Sequence, residues 1–158
     1  MSRERRASVV RILVPGDADP QQAVAAFRRA SAAVRQTPGV AVEWSVSGTV
    51  DPARIAALWP GAEAVDIVGV EAGRSSSWAA EVAGAGGLAD WAGWARSQER
   101  RLAVHWPLDA GTTPDRVRQM ADWLDLAART STLAYDTVSV SEDVEARTLS
   151  AYRRLWAE

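Results

Sequence analysis

Apolar residues recur along the chain in short runs with a two-residue period and in longer runs with helical spacing. The clearest alternation covers residues 40–47, where three valines and Trp44 share one parity while Glu43 and two serines share the other. Such alternation is typical of a strand with two different faces. Similar short runs predict five strands in all, at residues 8–14, 40–47, 65–70, 102–106 and 133–140.

A helical pattern follows each predicted strand. Three of these helices open with a capping residue directly before proline, which marks a helix start. The three pairs are Asp19-Pro20, Asp51-Pro52 and Thr113-Pro114. The predicted helices run from 20 to before 38, from 52 to 58, from about 75 to 100, from 114 past 127, and over 144–156. Glycines at 84, 86 and 87 loosen the third of them.

Strands that alternate with helices imply an α/β fold with a parallel sheet joined by right-handed crossovers. Two architectures fit the five βα units: a partial, half TIM-barrel-like sheet, or a rearranged flavodoxin-like open sheet. The chain has 158 residues, which suits one domain and falls short of the roughly 200 to 250 residues of a complete barrel. We expect a flexible N-terminus over 1–7 and a single α/β domain over 8–158.

The composition excludes several kinds of chemistry. There is no cysteine, lysine or asparagine, and all 18 basic residues are arginine, a bias typical of a GC-rich genome. Thiol and Schiff-base nucleophiles, zinc–thiolate sites and a P-loop lysine are thereby excluded. A single histidine among scattered carboxylates gives no metal-ligand spacing, so we expect neither a metal nor another cofactor.

Net charge and hydropathy favour a protein without nucleic-acid or membrane partners. The net charge is −2, and the arginines are scattered rather than gathered into a basic stripe. The first apolar run, over 9–14, is too short for a signal-peptide core or a membrane span. We therefore expect a cytoplasmic location.

Several segments resemble, in the same order along the chain, parts of one family of barrel enzymes. A proline-glycine loop within 59–71 leads into a strand that ends at Glu71, and a later strand at 102–108 contains His105-Trp106-Pro107. Further matches lie at 11–17, 25–29, 87–95, 117–124 and 151–156. Together these segments resemble the family 26 mannanase-like glycoside hydrolases. The resemblance implies that the chain corresponds to about strands four to eight of an eight-stranded (β/α)8 barrel.

The sequence departs from that family where its members carry their catalytic groups. Retaining glycosidases need two carboxylic acids, one as nucleophile and one as acid/base. The strand that resembles the acid/base strand reads Leu13-Val14-Pro15, and His105 stands where the nucleophile strand would carry glutamate. The resemblance therefore implies a degenerate relative that lacks both catalytic glutamates.

Residues near the carboxyl ends of the strands are the candidates for binding or catalysis. His105 is a candidate catalytic base, or else a hydrogen-bonded structural residue. Its candidate acidic partners are Glu71, Asp17 and Asp109. No Gly-x-Ser-x-Gly elbow supports a serine triad. Glu43 either meets an arginine or points into the former active-site cavity.

The aromatic residues suggest a sugar as ligand. The chain has eight tryptophans, and sugar-binding clefts use indole faces as platforms. Trp44 and Trp106 lie on predicted strands, and we expect them to bind ligand together with Asp17, Asp109 and Glu43.

Three functions are compatible with these patterns. In the first, the chain is a non-catalytic binding or scaffold subunit whose unpaired strand edges are completed by homo-oligomerisation or by a partner protein. In the second, it is a carbohydrate-active protein that retains oligosaccharide binding or glycosidase activity at the carboxyl ends of its strands. In the third, it is an unrelated small-molecule enzyme on a flavodoxin-like sheet, with His105 at the floor of a closed pocket.

Overall fold

The computed structural model describes residues 8–48, 50–73 and 75–156 of the chain. Five strands are present in this part, namely β1 (Ser8–Pro15), β2 (Val40–Ser47), β3 (Ile67–Glu71), β4 (Arg101–Leu108) and β5 (Leu133–Val140). They are connected and followed by α1 (Pro20–Val34), α2 (Pro52–Ala57), α3 (Trp78–Ala83), α4 (Leu88–Ser97), α5 (Pro114–Arg129) and α6 (Ala146–Trp156). A short 3-10 helix (Ala62–Ala64) precedes β3. The N-terminal segment expected to be flexible, 1–7, lies outside the described residues.

All strand pairs of the sheet are parallel, and the strands lie in the order β1-β2-β3-β4-β5. The prediction of an α/β fold with a parallel sheet of βα units is therefore confirmed. Consecutive strands are neighbours in a (β/α)8 barrel, whereas a flavodoxin-like sheet has the order 2-1-3-4-5. The observed order is that of five consecutive barrel strands, and β1 and β5 form the two edges.

The helix starts follow the signals in the sequence. The Asp19 carboxylate accepts a hydrogen bond from the Gln22 backbone N–H at 2.9 Å, and Asp51 does the same for Arg54 at 2.8 Å. Each cap satisfies a backbone donor that the first helical turn leaves without a partner. The three helices predicted from a cap followed by proline begin at that proline.

The region predicted as one loosened helix over 75–100 contains two helices, α3 and α4, separated at residues 84–87. Gly86 has a φ of +71°, and a Cβ atom there would lie 2.3 Å from the Val50 carbonyl oxygen. Both the backbone conformation and this close approach require glycine, so the chain breaks the helix here.

The two faces of the sheet differ in composition. One face carries apolar residues such as Val42, Trp44 and Val104, which belong to a single buried cluster with residues from α1, α2, α4, α5 and α6. Sequential parallel strands joined by right-handed crossovers place their helices on one face, and this common cluster agrees with that rule. The opposite, helix-free face carries the other parity, including Glu43 and His105. Among the described helices, none is both long and apolar enough to cross a membrane.

Candidate functional site

A buried carboxylate lies at the centre of the helix-free face. The side chain of Glu43 on β2 is 0% exposed. Its Oε1 lies 2.7 Å from His105 Nε2 and also accepts a hydrogen bond from the Ser45 hydroxyl. Its Oε2 accepts a hydrogen bond from the Tyr135 hydroxyl. Both oxygens of this carboxylate are therefore bound by donors from β2, β4 and β5, as a buried charge requires.

A glycine on β3, the strand between β2 and β4, leaves room for the Glu43 side chain to contact His105. Gly69 lies on β3, between β2 and β4, and pairs with Ser45 in register. A Cβ atom on Gly69 would lie 1.9 Å from Glu43 Oε1 and 2.2 Å from Ser45 Oγ. Any larger residue would occupy the space through which Glu43 contacts β4. Gly69 is therefore a packing requirement of the site rather than a turn residue.

The imidazole of His105 connects the buried carboxylate to the hydroxyl of an exposed residue, Thr137. His105 Nδ1 lies 2.7 Å from Thr137 Oγ1 on β5, the strand next to β4. His105 itself is buried, whereas Thr137 is exposed. The site thus contains a continuous carboxylate–imidazole–hydroxyl chain that begins in the interior and ends at the surface.

Arg11 on β1 brings a second carboxylate into the cluster. Its Nε lies 3.1 Å from Ser45 Oγ and 3.4 Å from Glu43 Oε1, and its Nη2 lies 3.1 Å from Glu71 Oε1. The side chains of Arg11 and Glu71 are both partly exposed. We call these side chains together the Glu43 network: Arg11, Glu43, Ser45, Glu71, His105, Tyr135 and Thr137.

The structure brings together three of the residues predicted for the site: Glu43, Glu71 and His105. Of the two alternatives for Glu43, the structure has the arginine partner. The imidazole nitrogens contact Glu43 and Thr137, and Glu43 was not among the acids predicted to pair with His105. Asp17 is exposed in the turn after β1. Asp109 Oδ1 accepts hydrogen bonds from Gly111 N and Thr112 Oγ1, both at 3.0 Å, and so closes the turn after β4.

The two tryptophans predicted to bind sugar lie in the core. Trp44 is 0% exposed and meets the Trp59 ring edge-on at a centroid distance of 5.1 Å. Trp106 is 1% exposed and stacks on Trp78 at 6.1 Å. Both indoles point toward the helices, on the face opposite the Glu43 network. Their burial does not fit a platform for sugar rings, because neither indole has a free face.

Sequence reasoning assigned no site role to four members of the network: Arg11, Ser45, Tyr135 and Thr137. A signal for them was present. Arg11 interrupts an otherwise apolar strand, and Tyr135 and Thr137 are two residues apart, so they share one face of β5. What the pattern lacked was the strand register that brings these positions beside Glu43.

The arrangement can hold or transfer a proton between an imidazole and a hydroxyl, and it can offer Arg11 and Glu71 to a polar ligand. The described residues contain no group of three or more histidine or acidic side chains suited to a metal ion. Comparisons with protein-family models and with curated proteins find no match for this chain. Its function is therefore inferred from its own residues and their geometry.

Proposed function

We propose that the chain is a glycoside-hydrolase-like half-barrel that does not cleave glycosidic bonds and acts as a binding or scaffold subunit, completed at its edges by a second copy or by a partner chain. The observation that carries this proposal is the sequential five-strand sheet, with the described helices packed on one face and with β1 and β5 at its edges. A complete barrel has no edges, whereas strand edges of this kind favour association.

Apolar side chains near both edges support association. Leu13 on β1 is 48% exposed, and Val9 and Val10 on the same strand are also exposed. A groove of about 380 Å³ lies between β1 and α1 and is lined mainly by apolar side chains, Phe27 among them. On the other side, Val140 of β5 is exposed. In a closed barrel these surfaces would be covered by neighbouring βα units.

The chemistry of the helix-free face supports the absence of glycosidase activity in this proposal. A retaining glycosidase needs two carboxyl groups that both reach the glycosidic bond. Glu43 is fully buried and bound through both oxygens, so it does not reach a substrate. Of the two strands that resemble the catalytic strands, one reads Leu13-Val14-Pro15 without a carboxylate, and the other carries His105 instead of glutamate.

Light scattering coupled to size-exclusion chromatography tests the association. We expect the wild-type chain to form a species larger than the monomer, and Leu13→Glu to shift it toward the monomer by placing a charge at the β1 edge. Leu126→Glu is the matched control, because Leu126 on α5 is 61% exposed and lines a groove with residues of α4 rather than of β1. A monomeric wild type at high concentration would contradict self-association, and an assembly that Leu13→Glu leaves intact would contradict association through the β1 edge.

A second candidate is oligosaccharide binding on the helix-free face, favoured by the partly exposed pair of Arg11 and Glu71. A guanidinium and a carboxylate side by side can donate to and accept from neighbouring sugar hydroxyls. Titration with β-mannan, β-glucan and xylan fragments, followed by calorimetry, tests it. Glu71→Gln should weaken binding, whereas Asp125→Asn on the exposed surface of α5 should not. Flat titrations across all three glycans would contradict this candidate.

A further inference from the structure

We propose that Thr137 is a nucleophilic hydroxyl that takes acyl groups from activated carboxylic esters, with His105 as its general base and Glu43 as the residue that positions the imidazole. This activity goes beyond the proposed binding role and does not depend on it. Its basis is the carboxylate–imidazole–hydroxyl chain, in which both contacts to the ring are 2.7 Å long. A hydroxyl, a base and a group that orients the base are the parts of an activated nucleophile.

The contacts of the ring define the role of each nitrogen. A carboxylate only accepts hydrogen bonds, so Nε2 of His105 carries a proton and donates it to Glu43. In the neutral ring, Nδ1 then has the lone pair that faces the Thr137 hydroxyl. Nδ1 is therefore placed to remove the proton of that hydroxyl, within the 2.6–3.2 Å range expected for a general base.

Glu43 is held so that it keeps the ring in this orientation. Its two oxygens are bound by Ser45 and Tyr135 in addition to His105. The side chain crosses β3 through the space that the missing Cβ of Gly69 leaves open. Glu43 is fully buried and does not meet a ligand. It is accordingly a positioning residue, whereas His105 and Thr137 act on the reacting atoms.

Thr137 differs from the other hydroxyls of the network in its access to solvent. Ser45 is buried and Tyr135 donates to the buried Glu43, but Thr137 is exposed on edge strand β5. An ester approaching the helix-free face can therefore reach Thr137 Oγ1. Aryl esters are the expected substrate class, because their leaving groups depart with little stabilisation from the protein.

The reaction balances with an ester and water as the reactants. Thr137 Oγ1 bonds to the carbonyl carbon while its proton moves to His105 Nδ1. The bond between that carbon and the aryl oxygen then breaks, and the proton passes from Nδ1 to the leaving oxygen. Water attacks the resulting threonyl ester with His105 again as base, which releases the carboxylic acid and restores the hydroxyl.

Covalent labelling of the full chain with an alkyl fluorophosphonate tests this assignment. The phosphorus replaces the carbonyl carbon: a bond from Thr137 Oγ1 to phosphorus forms, the phosphorus–fluorine bond breaks, and the hydroxyl proton moves to His105. We expect one adduct by intact mass, located at Thr137 by peptide mapping. Thr137→Val should abolish it, and Thr137→Ser should retain it. Ser139→Ala is the matched control, because Ser139 is exposed two residues further along the same face of β5.

Two further variants separate base catalysis from folding. His105→Gln should slow labelling by about 10²- to 10⁴-fold, the usual contribution of a general base. Glu43→Gln should lower the maximal labelling rate and leave the half-saturating reagent concentration unchanged. Circular dichroism establishes that each variant is folded, and the exposed position of Thr137 keeps its own variants informative if a buried substitution unfolds the chain. An unlabelled wild type, an adduct at another residue, or labelling unaffected by Thr137→Val would overturn the proposal.

Discussion

Replacing Gly69 by alanine tests whether the Glu43 carboxylate is fixed. The added Cβ would lie 1.9 Å from Glu43 Oε1, whereas real Cβ contacts are essentially never shorter than 3.0 Å, so the oxygen must retreat by about 1.1 Å. A 2.7 Å hydrogen bond to His105 stretched by that amount exceeds hydrogen-bond distance. Oε1 is also bound to Ser45, so two charge-assisted bonds are at risk.

The expected loss follows from these two bonds. A hydrogen bond to a charged group contributes about 1.5–3 kcal/mol, so the free energy of unfolding should fall by about 3–6 kcal/mol. For a chain of this size each kcal/mol lowers the melting temperature by about 2–4 °C. Urea denaturation followed by tryptophan fluorescence measures the loss.

Gly93→Ala provides a control with the opposite sign. Gly93 lies on α4, is exposed, and has no heavy atom within 4 Å of the position of an added Cβ. Alanine there should stabilise the helix by about 0.5–1 kcal/mol. In a double-mutant cycle, the losses in unfolding free energy from Gly69→Ala and Glu43→Ala should be less than additive, because removing the carboxylate removes its clash with the added Cβ. A Gly69→Ala protein within about 0.5 kcal/mol of the wild type would refute the reasoning.

Two further predictions concern the core and a helix cap. Trp106→Ala should lower the free energy of unfolding in urea by about 3–5 kcal/mol, because the indole is 1% exposed, and should leave any oligosaccharide titration of the folded protein unchanged. A loss of sugar binding with unchanged stability would contradict this placement. Asp51→Ala should lower the free energy of unfolding by about 1 kcal/mol in the same assay, because it removes the hydrogen bond that caps the Arg54 backbone N–H at the start of α2. An unchanged urea midpoint would argue against that cap.

Much of the fold could be predicted because its signals are local. Asp19-Pro20, Asp51-Pro52 and Thr113-Pro114 specify helix starts through the residues that immediately follow them. The break between α3 and α4 was less predictable, since the constraint on Gly86 comes from Val50, far away in the sequence. Local patterns therefore gave the elements and missed an interruption with a tertiary cause.

The candidate site was predictable only in part, for the same reason. Alternation along β2 correctly places Glu43 and Trp44 on opposite faces of the strand. It also places Trp44 on the same face as Val42 and Val46, and that face packs into the core. Applied to the tryptophans, this pattern would have argued against a sugar platform. The contact between Glu43 and His105 depends on strand order and register, and on a gap at Gly69 that no local pattern reveals.

The Glu43 network also bears on the order in which the chain folds. Neighbouring strands meet over short separations, such as the 32 positions between His105 and Thr137, whereas Glu43 and Tyr135 are 92 positions apart. Closing the longer loop from a free chain costs about 1 kcal/mol more. Pairing of β3 and β4 shortens this loop, so we expect the contact between Glu43 and Tyr135 to form after those strands have paired. Interactions absent from the transition state govern the unfolding rate. We therefore expect replacement of the buried glutamate to speed unfolding of the sheet more than it slows folding.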